Sequence, residues 1–256
     1  MNQHLVIVFE DDHCLALAKP AGQFTQGTWA PAGEMTLETA VRRYLHPADP
    51  HSVYLGIVHR LDRPTSGLIL WAKTMKAARR LSAQFERRAV IKEYWGIVEL
   101  KRAATASESV EGTEHVESDP AGLQVWNDWL TRANELGVVS AVTPRTPGAR
   151  EAVTRWRFAA ATSLPPRCAW LRLWPQTGRT HQLRIQAARR GMPVVGDSSY
   201  GSGLPFPVPH GIALHSRSVQ FHHPVSGLET MLIAPLPSSW AAGGMILPDP
   251  VESAGA

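Results

Sequence analysis

The sequence VHRLDRPTSGLILWAK, at residues 58–73, places charged side chains directly before an apolar run. Residues 67–72 predict a buried strand, and residues 53–58 predict another. The polar stretch between them, residues 59–66, would then project from the ends of two neighbouring strands. Loops in such positions carry functional groups while the strands fix their position. We therefore expect chemistry in this loop, with Asp62 as the candidate carboxylate.

The residues around Asp62 leave its role open when they are taken alone. Arg60 and Arg63 flank the carboxylate on either side. Asp62 could cap the loop, form a structural salt bridge with one of these arginines, or act on a substrate.

A second polar motif is QTGRTHQLRI, at residues 176–185. It predicts a helix over residues 178–190 that is entered through a glycine turn and stopped by Gly191. His181 and Arg184 are three residues apart and would share a helix face, while Arg179 would lie near the N-terminus, where backbone N–H groups favour anions. The motif predicts phosphate or carboxylate recognition, and a basic surface helix is the alternative.

The rest of the chain predicts many strands and few helices, which is typical of an α+β domain with one large, mostly antiparallel or mixed sheet and flanking helices. Alternation along the strand at 90–100 places Lys92 and Tyr94 on one side. We expect a single domain over residues 1–248, surface insertions at 103–122 and 144–148, and a frayed tail at 249–256. The other predicted strands are 5–9, 14–18, 152–158, 169–174, 212–221 and 230–234, and the other helices are 36–45 and 74–88.

Charge and cysteine content narrow the class of protein. The formal net charge of the 256 residues is +4, and it becomes +9 when the five acids between residues 108 and 119 are left out. A body this basic favours a polyanionic partner. Cys14 and Cys168 match no disulfide framework, which fits a reducing compartment, and no apolar run approaches the roughly 20 residues of a spanning helix. We expect a cytoplasmic protein with no membrane segment.

Several motifs together identify a family. HRLDRPTSG, IKEYWGIV at residues 91–98, TGRTHQLRI, VVGDSSYG and ALHSRSVQFHHP occur in the same order as in the RluA family of pseudouridine synthases, which this chain resembles. ALAKPAG, at residues 16–22, is similar to the opening segment of that family, and the resemblance extends over residues 6–234. It implies a pseudouridine synthase fold with a central RNA-binding cleft, here without the S4 domain that many relatives carry.

The resemblance also implies a reaction and its catalytic residues. The family isomerises uridine in RNA to pseudouridine, a reaction that changes no oxidation state and requires neither a cofactor nor a metal. By this resemblance, Asp62 is the catalytic carboxylate and Arg184 is its ion-pair partner. Tyr94 corresponds to the active-site tyrosine that packs against the target base and assists removal of the C5 proton.

The substrate contacts follow from the same resemblance. Arg60 corresponds to the arginine that fills the space left in the RNA by the extruded nucleotide. Lys92, Arg179 and His181 are candidates for contacts with phosphates or neighbouring bases. The expected partner is ribosomal or transfer RNA, and the expected oligomeric state is a monomer.

Two other classes of protein remain as alternatives. A metal-dependent hydrolase is suggested by eleven histidines, among them His210, His215, His222 and His223, but these lack the HExxH or paired-cysteine spacing of a zinc site. A catalytically silent RNA-binding protein would be favoured by an altered Asp62, and this residue is intact.

Overall fold

The computed structural model describes residues 5–27, 30–101, 119, 122–134 and 137–248. The chain divides into two compact units, the first drawn from Met1–Tyr94 and Val208–Leu236 and the second from Trp95–Pro207 and Pro237–Ala256. The expected insertion at 103–122 lies outside the described residues apart from Asp119 and Gly122, as does the expected tail at 249–256. The single domain over residues 1–248 stays a prediction.

The described residues form ten strands and four α-helices. In chain order these are β1 (Val6–Glu10), β2 (Cys14–Lys19), α1 (Leu37–Leu45), β3 (Ser66–Ala72), α2 (Met75–Glu86), β4 (Ile91–Glu99), β5 (Gln124–Leu130), β6 (Ala141–Val142), β7 (Arg150–Ala159), β8 (Cys168–Pro175), α3 (Gln182–Arg189), β9 (Leu214–His222), β10 (Glu229–Ile233) and α4 (Ser238–Ala242).

The first unit contains a mixed sheet with the strand order β1-β2-β3-β9-β10. Its pairs are antiparallel except for β3 and β9, which run parallel where Ser66 faces His215 and Gly67 faces Ser216. Strand β3 is buried along its whole length. Such burial on both faces explains why its sequence is a continuous apolar run without alternation.

Each face of this sheet is covered by one helix. Leu68 and Leu70 of β3 belong to the apolar cluster that includes Leu81 of α2. Ile69 and Trp71, which point to the other face, belong to the cluster that includes residues of α1. The period of two along β3 therefore assigns its side chains to two separate cores.

Both helices of the first unit, α1 and α2, have a threonine as the N-cap residue directly before the helix. The Thr36 hydroxyl accepts a hydrogen bond from the Thr39 N–H, and the Thr74 hydroxyl accepts one from the Ala77 N–H. Each hydroxyl satisfies an N–H group that has no partner within the helix.

The predicted strand at residues 53–58 was wrong. Only Gly56 pairs with the sheet, through an isolated bridge to Ala72. Two residues before Ala72 in β3, the Leu70 N–H donates instead to Nε2 of His59, at 2.8 Å. The imidazole thus occupies a position that a neighbouring backbone carbonyl would take in a regular strand pair, and it ties the start of the Asp62 loop to β3.

The second unit contains an antiparallel sheet in the order β8-β7-β5-β6. Strand β5 was not predicted, because Asp128 stands at one of its buried positions and interrupts the apolar pattern. In the structure this carboxylate accepts hydrogen bonds from Nη1 of Arg190 at 3.0 Å and from Nε2 of Gln186 at 2.9 Å. Residues 144–148 form turns between β6 and β7.

The described helices are all short. The longest, α2, has 12 residues. Among the residues that the structure describes, no helix combines the length and apolar character required to cross a membrane.

The close approach of β3 to β9 predicts a strong effect of Gly67→Ala. A Cβ atom at Gly67 would lie 2.3 Å from the Ser216 carbonyl oxygen, and φ at Gly67 is +111°. We expect the free energy of unfolding, measured by urea denaturation, to fall by about 3 kcal/mol or more. Gly148→Ala is the control, because its φ is +76° and its Cβ would meet no atom within 4 Å, so only backbone strain of about 1 kcal/mol is expected. Equal losses in the two variants would contradict the steric argument.

The buried histidine predicts a pH dependence of stability. Burial, with a smaller contribution from the charge of Lys92, lowers the pKa of His59 to about 3. Between that pKa and the unfolded pKa of about 6.5, the unfolded chain binds a proton that the folded chain does not, so stability falls as the pH falls through this window. In His59→Gln, which keeps an acceptor for the Leu70 N–H, we expect the slope of the unfolding free energy between about pH 4 and 6 to decrease by about 1.4 kcal/mol per pH unit.

Exposed His51 provides the matched control for this measurement. His51→Gln should leave the slope close to that of the unmodified chain. If His59→Gln behaves in the same way as His51→Gln, the ring of His59 takes up a proton in the folded state and the assignment is wrong.

Candidate active site

The loop that carries Asp62 is fixed by hydrogen bonds from the segment that follows β2. The Gly22 N–H donates to the Arg63 carbonyl at 2.9 Å, and the Thr25 hydroxyl donates to the Leu61 carbonyl at 2.7 Å. Within the loop, the Thr65 N–H donates to the Asp62 carbonyl at 3.1 Å. Backbone atoms on both sides of Asp62 are therefore held, while its side chain remains half-buried.

Lys19 lies beneath this loop and was not predicted as a site residue. Its ammonium donates to the carbonyls of Pro20, Gln23 and Arg63 at 2.9, 2.8 and 3.1 Å, and the residue is 1% exposed. Burial lowers the pKa of Lys19 to about 7, the charge of Asp62 opposes this shift, and the charge of Arg63 adds to it. The Lys19 ammonium is therefore close enough to Asp62 for the two charges to interact. The ALAKPAG segment, at residues 16–22, contains Lys19 and was the sequence signal that could have identified it.

Tyr94 lies close enough to Asp62 to interact with its charge. Burial raises the pKa of Tyr94 to about 12, an interaction with the Ser216 side chain opposes this shift, and the negative charge of Asp62 adds to it. The phenol therefore keeps its proton at neutral pH. The structure thus brings together two of the predicted catalytic residues, and it adds Ser216 of β9 beside them.

Lys92 and Arg60 differ in their surroundings. Lys92 is half-buried, and burial lowers its pKa to about 8. Its charge also contributes to the lowered pKa of His59, which places the ammonium near the start of the Asp62 loop. Arg60 is exposed to solvent.

Arg63 has structural contacts on the other side of the loop. Its Nε donates to the Gly22 carbonyl at 3.0 Å, and its guanidinium carbon lies 4.5 Å from the centroid of the Phe24 ring. A carboxylate oxygen of Glu34 lies 3.5 Å from Nη2. These contacts connect the Asp62 loop to the segment that leads into α1.

In the second unit, Arg184 forms a buried ion pair with Asp197. Nε lies 2.6 Å from Oδ2 and Nη2 lies 2.9 Å from Oδ1, so that both carboxylate oxygens are bound. Arg184 is 5% exposed and Asp197 is 2% exposed. The VVGDSSYG motif contains Asp197, but the sequence assigned it no role. The pairing of Arg184 with Asp62 stays a prediction.

The helix of the TGRTHQLRI motif begins later than predicted, at Gln182. The side chain of Gln182 folds back over the preceding turn, where Oε1 accepts from the Arg179 N–H at 3.0 Å and from the Thr177 hydroxyl at 2.7 Å. His181 takes a left-handed conformation with φ of +54° directly before the helix. The turn before α3 is therefore organised by a side chain, which a periodicity argument does not reveal.

His181 and Arg184 meet at one aromatic ring. Nδ1 of His181 lies 2.8 Å from the hydroxyl of Tyr200, and the guanidinium carbon of Arg184 lies 4.9 Å from the centroid of that ring. Arg179 has a different contact, because its Nε donates to the Glu151 carbonyl of β7 at 3.0 Å. Two of the three predicted residues of this motif thus converge, and the third contacts the sheet.

The histidines that suggested a metal site lie in different surroundings. His215 is fully buried, and its Nδ1 lies 2.9 Å from the Ser66 hydroxyl. In the described part of the chain, one group of potential ligands, formed by Asp11, Cys14 and His223, has atoms within 4.8 Å of one another. Asp11 Oδ1 accepts hydrogen bonds from the N–H groups of His13 and Cys14, which gives this carboxylate a structural role in the turn between β1 and β2.

Comparison with known proteins shows the family of the chain. Residues 13–189 match the family model described as RNA pseudouridylate synthase. The chain is 34% identical over 249 residues to an uncharacterized RNA pseudouridine synthase of Synechocystis, with 93% of the chain and 67% of the relative covered. It is 33% identical to the ribosomal large subunit pseudouridine synthase C of Vibrio cholerae, with 90% and 65% covered. The chain thus spans about two thirds of the length of these two relatives.

A solved structure extends the comparison to the fold. The human protein "RNA Pseudouridylate Synthase Domain Containing 1" is similar with a TM-score of 0.70 and 22% identity, and 99% of this chain and 94% of that chain are covered. The predicted α+β pseudouridine synthase fold is confirmed. The resemblance to the RluA family is also confirmed, and the chain belongs to the RNA pseudouridylate synthase family.

Proposed function

We propose that the protein isomerises uridine to pseudouridine in RNA, with Asp62 as the catalytic carboxylate. The observation that carries this proposal is the placement of Asp62 in a loop held on both sides, within reach of the charge of Lys19 and of the Tyr94 phenol. Family membership supplies the reaction class.

The reaction is balanced without any other reagent. The bond between C1′ of the ribose and N1 of uracil breaks, a bond between C1′ and C5 forms, the proton on C5 leaves, and N1 gains a proton. The product has the same atoms as the substrate, so the proposed enzyme uses no cofactor. Asp62 acts in this scheme as a nucleophile or a base, and positively charged groups stabilise the departing uracil anion.

Tyr94 and Arg184 complete the proposed catalytic set. With its pKa raised to about 12, Tyr94 is a neutral phenol at the pH of the cell, so its ring can pack against the base and its hydroxyl can take part in proton transfer. Arg184 is proposed as the ion-pair partner of Asp62.

The proposed substrate is a nucleotide turned out of folded RNA. Extrusion costs a few kcal/mol of stacking and pairing, which contacts to the protein must offset. Exposed Arg60 is proposed to fill the vacated space, while Lys92, Arg179 and His181 contact phosphates or neighbouring bases. Ribosomal and transfer RNA both remain as targets, and one matched relative is named for the ribosomal large subunit. The monomeric state and the cytoplasmic location stay predictions.

The central test replaces the carboxylate by its isosteric amide. Asp62→Asn should fold and bind RNA with nearly unchanged affinity, yet release no tritium from RNA labelled at uridine C5, because the amide is neither a nucleophile nor a base. Asp12→Asn, at an exposed position of the β1–β2 turn, is the matched control and should retain full release. Substantial release by Asp62→Asn would defeat the assignment.

RNA binding should depend strongly on salt, because phosphate contacts release counterions. We expect the logarithm of the affinity for a folded RNA to fall linearly with the logarithm of the salt concentration. For Arg60→Met, the loss of one cationic contact should reduce the slope by about 0.7 to 0.9. The measurement is a fluorescence anisotropy titration at four salt concentrations, and a flat response of the unmodified protein would exclude a phosphate-dominated surface.

A further inference from the structure

Helix α2 carries positively charged side chains that have no role in the function proposed so far. Five cations of the helix and its C-terminal end are exposed: Lys76, Arg79, Arg80, Arg87 and Arg88. With 3.6 residues per turn, Lys76, Arg80 and Arg87 fall within about 40° of one another around the helix axis, and Arg79 lies about 60° to one side. Leu81 points away from them into the core. One face of the helix is therefore basic over about 16 Å.

Helix stability does not account for this row of charges. The first turn of α2 contains no acidic residue and instead contains Lys76. A positive charge is unfavourable there, because the N-terminal end of the helix dipole is itself positive. Lys76 also precedes Arg80 by four residues, and like charges at this spacing repel each other. A role in binding an anionic partner accounts for such a row.

The charges of this face are not neutralised by neighbouring acids. In the part of the chain that the structure describes, no carboxylate forms an ion pair with any of the five cations. Glu86 is exposed and lies beside the row, two helix turns after Arg79. One acid against five cations leaves the face strongly positive.

The helix that carries the row is fixed to the sheet of the first unit. Nε2 of Gln84 donates to the His222 carbonyl at 2.7 Å, and Oε1 of Gln84 accepts from the His222 N–H at 2.9 Å. Nη1 of Arg80 donates to the Pro224 carbonyl at 2.6 Å, a contact that orients the guanidinium without neutralising its charge. The basic face is thus held in place at the end of β9.

The C-terminal end of α2 lies beside the start of the Asp62 loop. The ring of Phe85 stacks on the ring of His59, with their centroids 4.9 Å apart. His59 directly precedes Arg60, the exposed arginine proposed to fill the space left by the extruded nucleotide. The positive charges of α2 therefore begin close to Arg60 and continue away from the loop along the helix.

We propose that the basic face of α2, formed by the five exposed cations, binds the phosphate backbone of the RNA that flanks the target uridine. This inference rests on the proposed function, because RNA is favoured as the partner by the position of the face beside the catalytic loop. A membrane surface is not favoured, since an interfacial helix inserts an apolar face and α2 buries its own, with Leu81 at 0% exposure. Phosphate contacts add affinity without reading the base sequence.

The test replaces Lys76, Arg79 and Arg87 together by glutamine, a good helix former, in the full chain. Arg80 is kept because its side chain contacts the Pro224 carbonyl. The probe is a fluorescently labelled RNA hairpin, titrated by anisotropy at several salt concentrations. The slope of log affinity against log salt should decrease by about 2 to 3, because each lost phosphate contact contributes about 0.7 to 0.9. The affinity at about 0.1 M salt should fall about tenfold or more.

A second triple variant with the same change in net charge separates the location of the charges from their number. Arg43→Gln, Arg132→Gln and Arg145→Gln together remove three exposed cations that lie outside α2. We expect this variant to change the slope by less than about 0.5 and the affinity by less than about twofold. Equal or larger losses in this variant would overturn the proposal, because binding would then follow net charge alone.

Lys76→Gln alone separates binding from stability. Its melting temperature should be unchanged or slightly higher, because a positive charge leaves the N-terminal end of the helix. Its affinity for the hairpin should still fall, with a slope reduced by about 0.7 to 0.9. A lower melting temperature together with an unchanged affinity would show that Lys76 serves the fold and would overturn the proposal for this residue.

Activity distinguishes a failure of this inference from a failure of the proposed function. On folded RNA labelled at uridine C5, the Lys76, Arg79 and Arg87 variant should raise KM by about tenfold and lower kcat much less, because the face does not touch the reacting atoms. A fall in kcat with an unchanged KM would overturn the inference. So would binding to anionic lipid vesicles that the variant loses while it keeps its RNA affinity. A lack of tritium release by the unmodified protein would instead reject the proposed function, and the hairpin titrations would still test the basic face.

Discussion

The parallel contact between the start of β3 and the start of β9 is the constraint on which the first unit depends. At Gly67 the two backbones approach so closely that no Cβ atom fits, and the neighbouring hydroxyl of Ser66 meets the ring of His215. This contact fixes the point where the Asp62 loop enters the sheet. It also sets the position of Ser216, whose side chain interacts with Tyr94. A packing requirement between two strands thus determines where two polar groups of the site stand.

The buried ion pair of the second unit has a comparable role. Arg184 and Asp197 are both removed from solvent, and an unpaired charge there would be costly. Tyr200 and His181 extend the pair toward the turn that precedes α3. In each unit, the groups proposed for catalysis are therefore supported by buried polar contacts that are part of the fold itself.

The sequence predicted the apolar strands and the threonine-capped helices well, because periodicity and capping are local properties. The prediction failed at residues 53–58, where a hydrogen bond to the His59 ring takes the place of strand pairing with β3. It also failed at β5, where the buried Asp128 interrupts the alternation of apolar and polar residues. It named Asp62 and Tyr94 through the family motifs, yet it missed Lys19 and Asp197. Both of these contact groups that folding brings close, and only Lys19 had a sequence signal, the ALAKPAG segment.

The contacts of Lys19 have a consequence for the tolerance of this region to sequence change. Its ammonium binds three backbone carbonyls and depends on no particular side chain for these bonds. Every residue, including proline, has a main-chain carbonyl, so substitutions around the ammonium leave its acceptors in place. A single lysine can therefore preserve the local geometry while adjacent positions diverge during evolution.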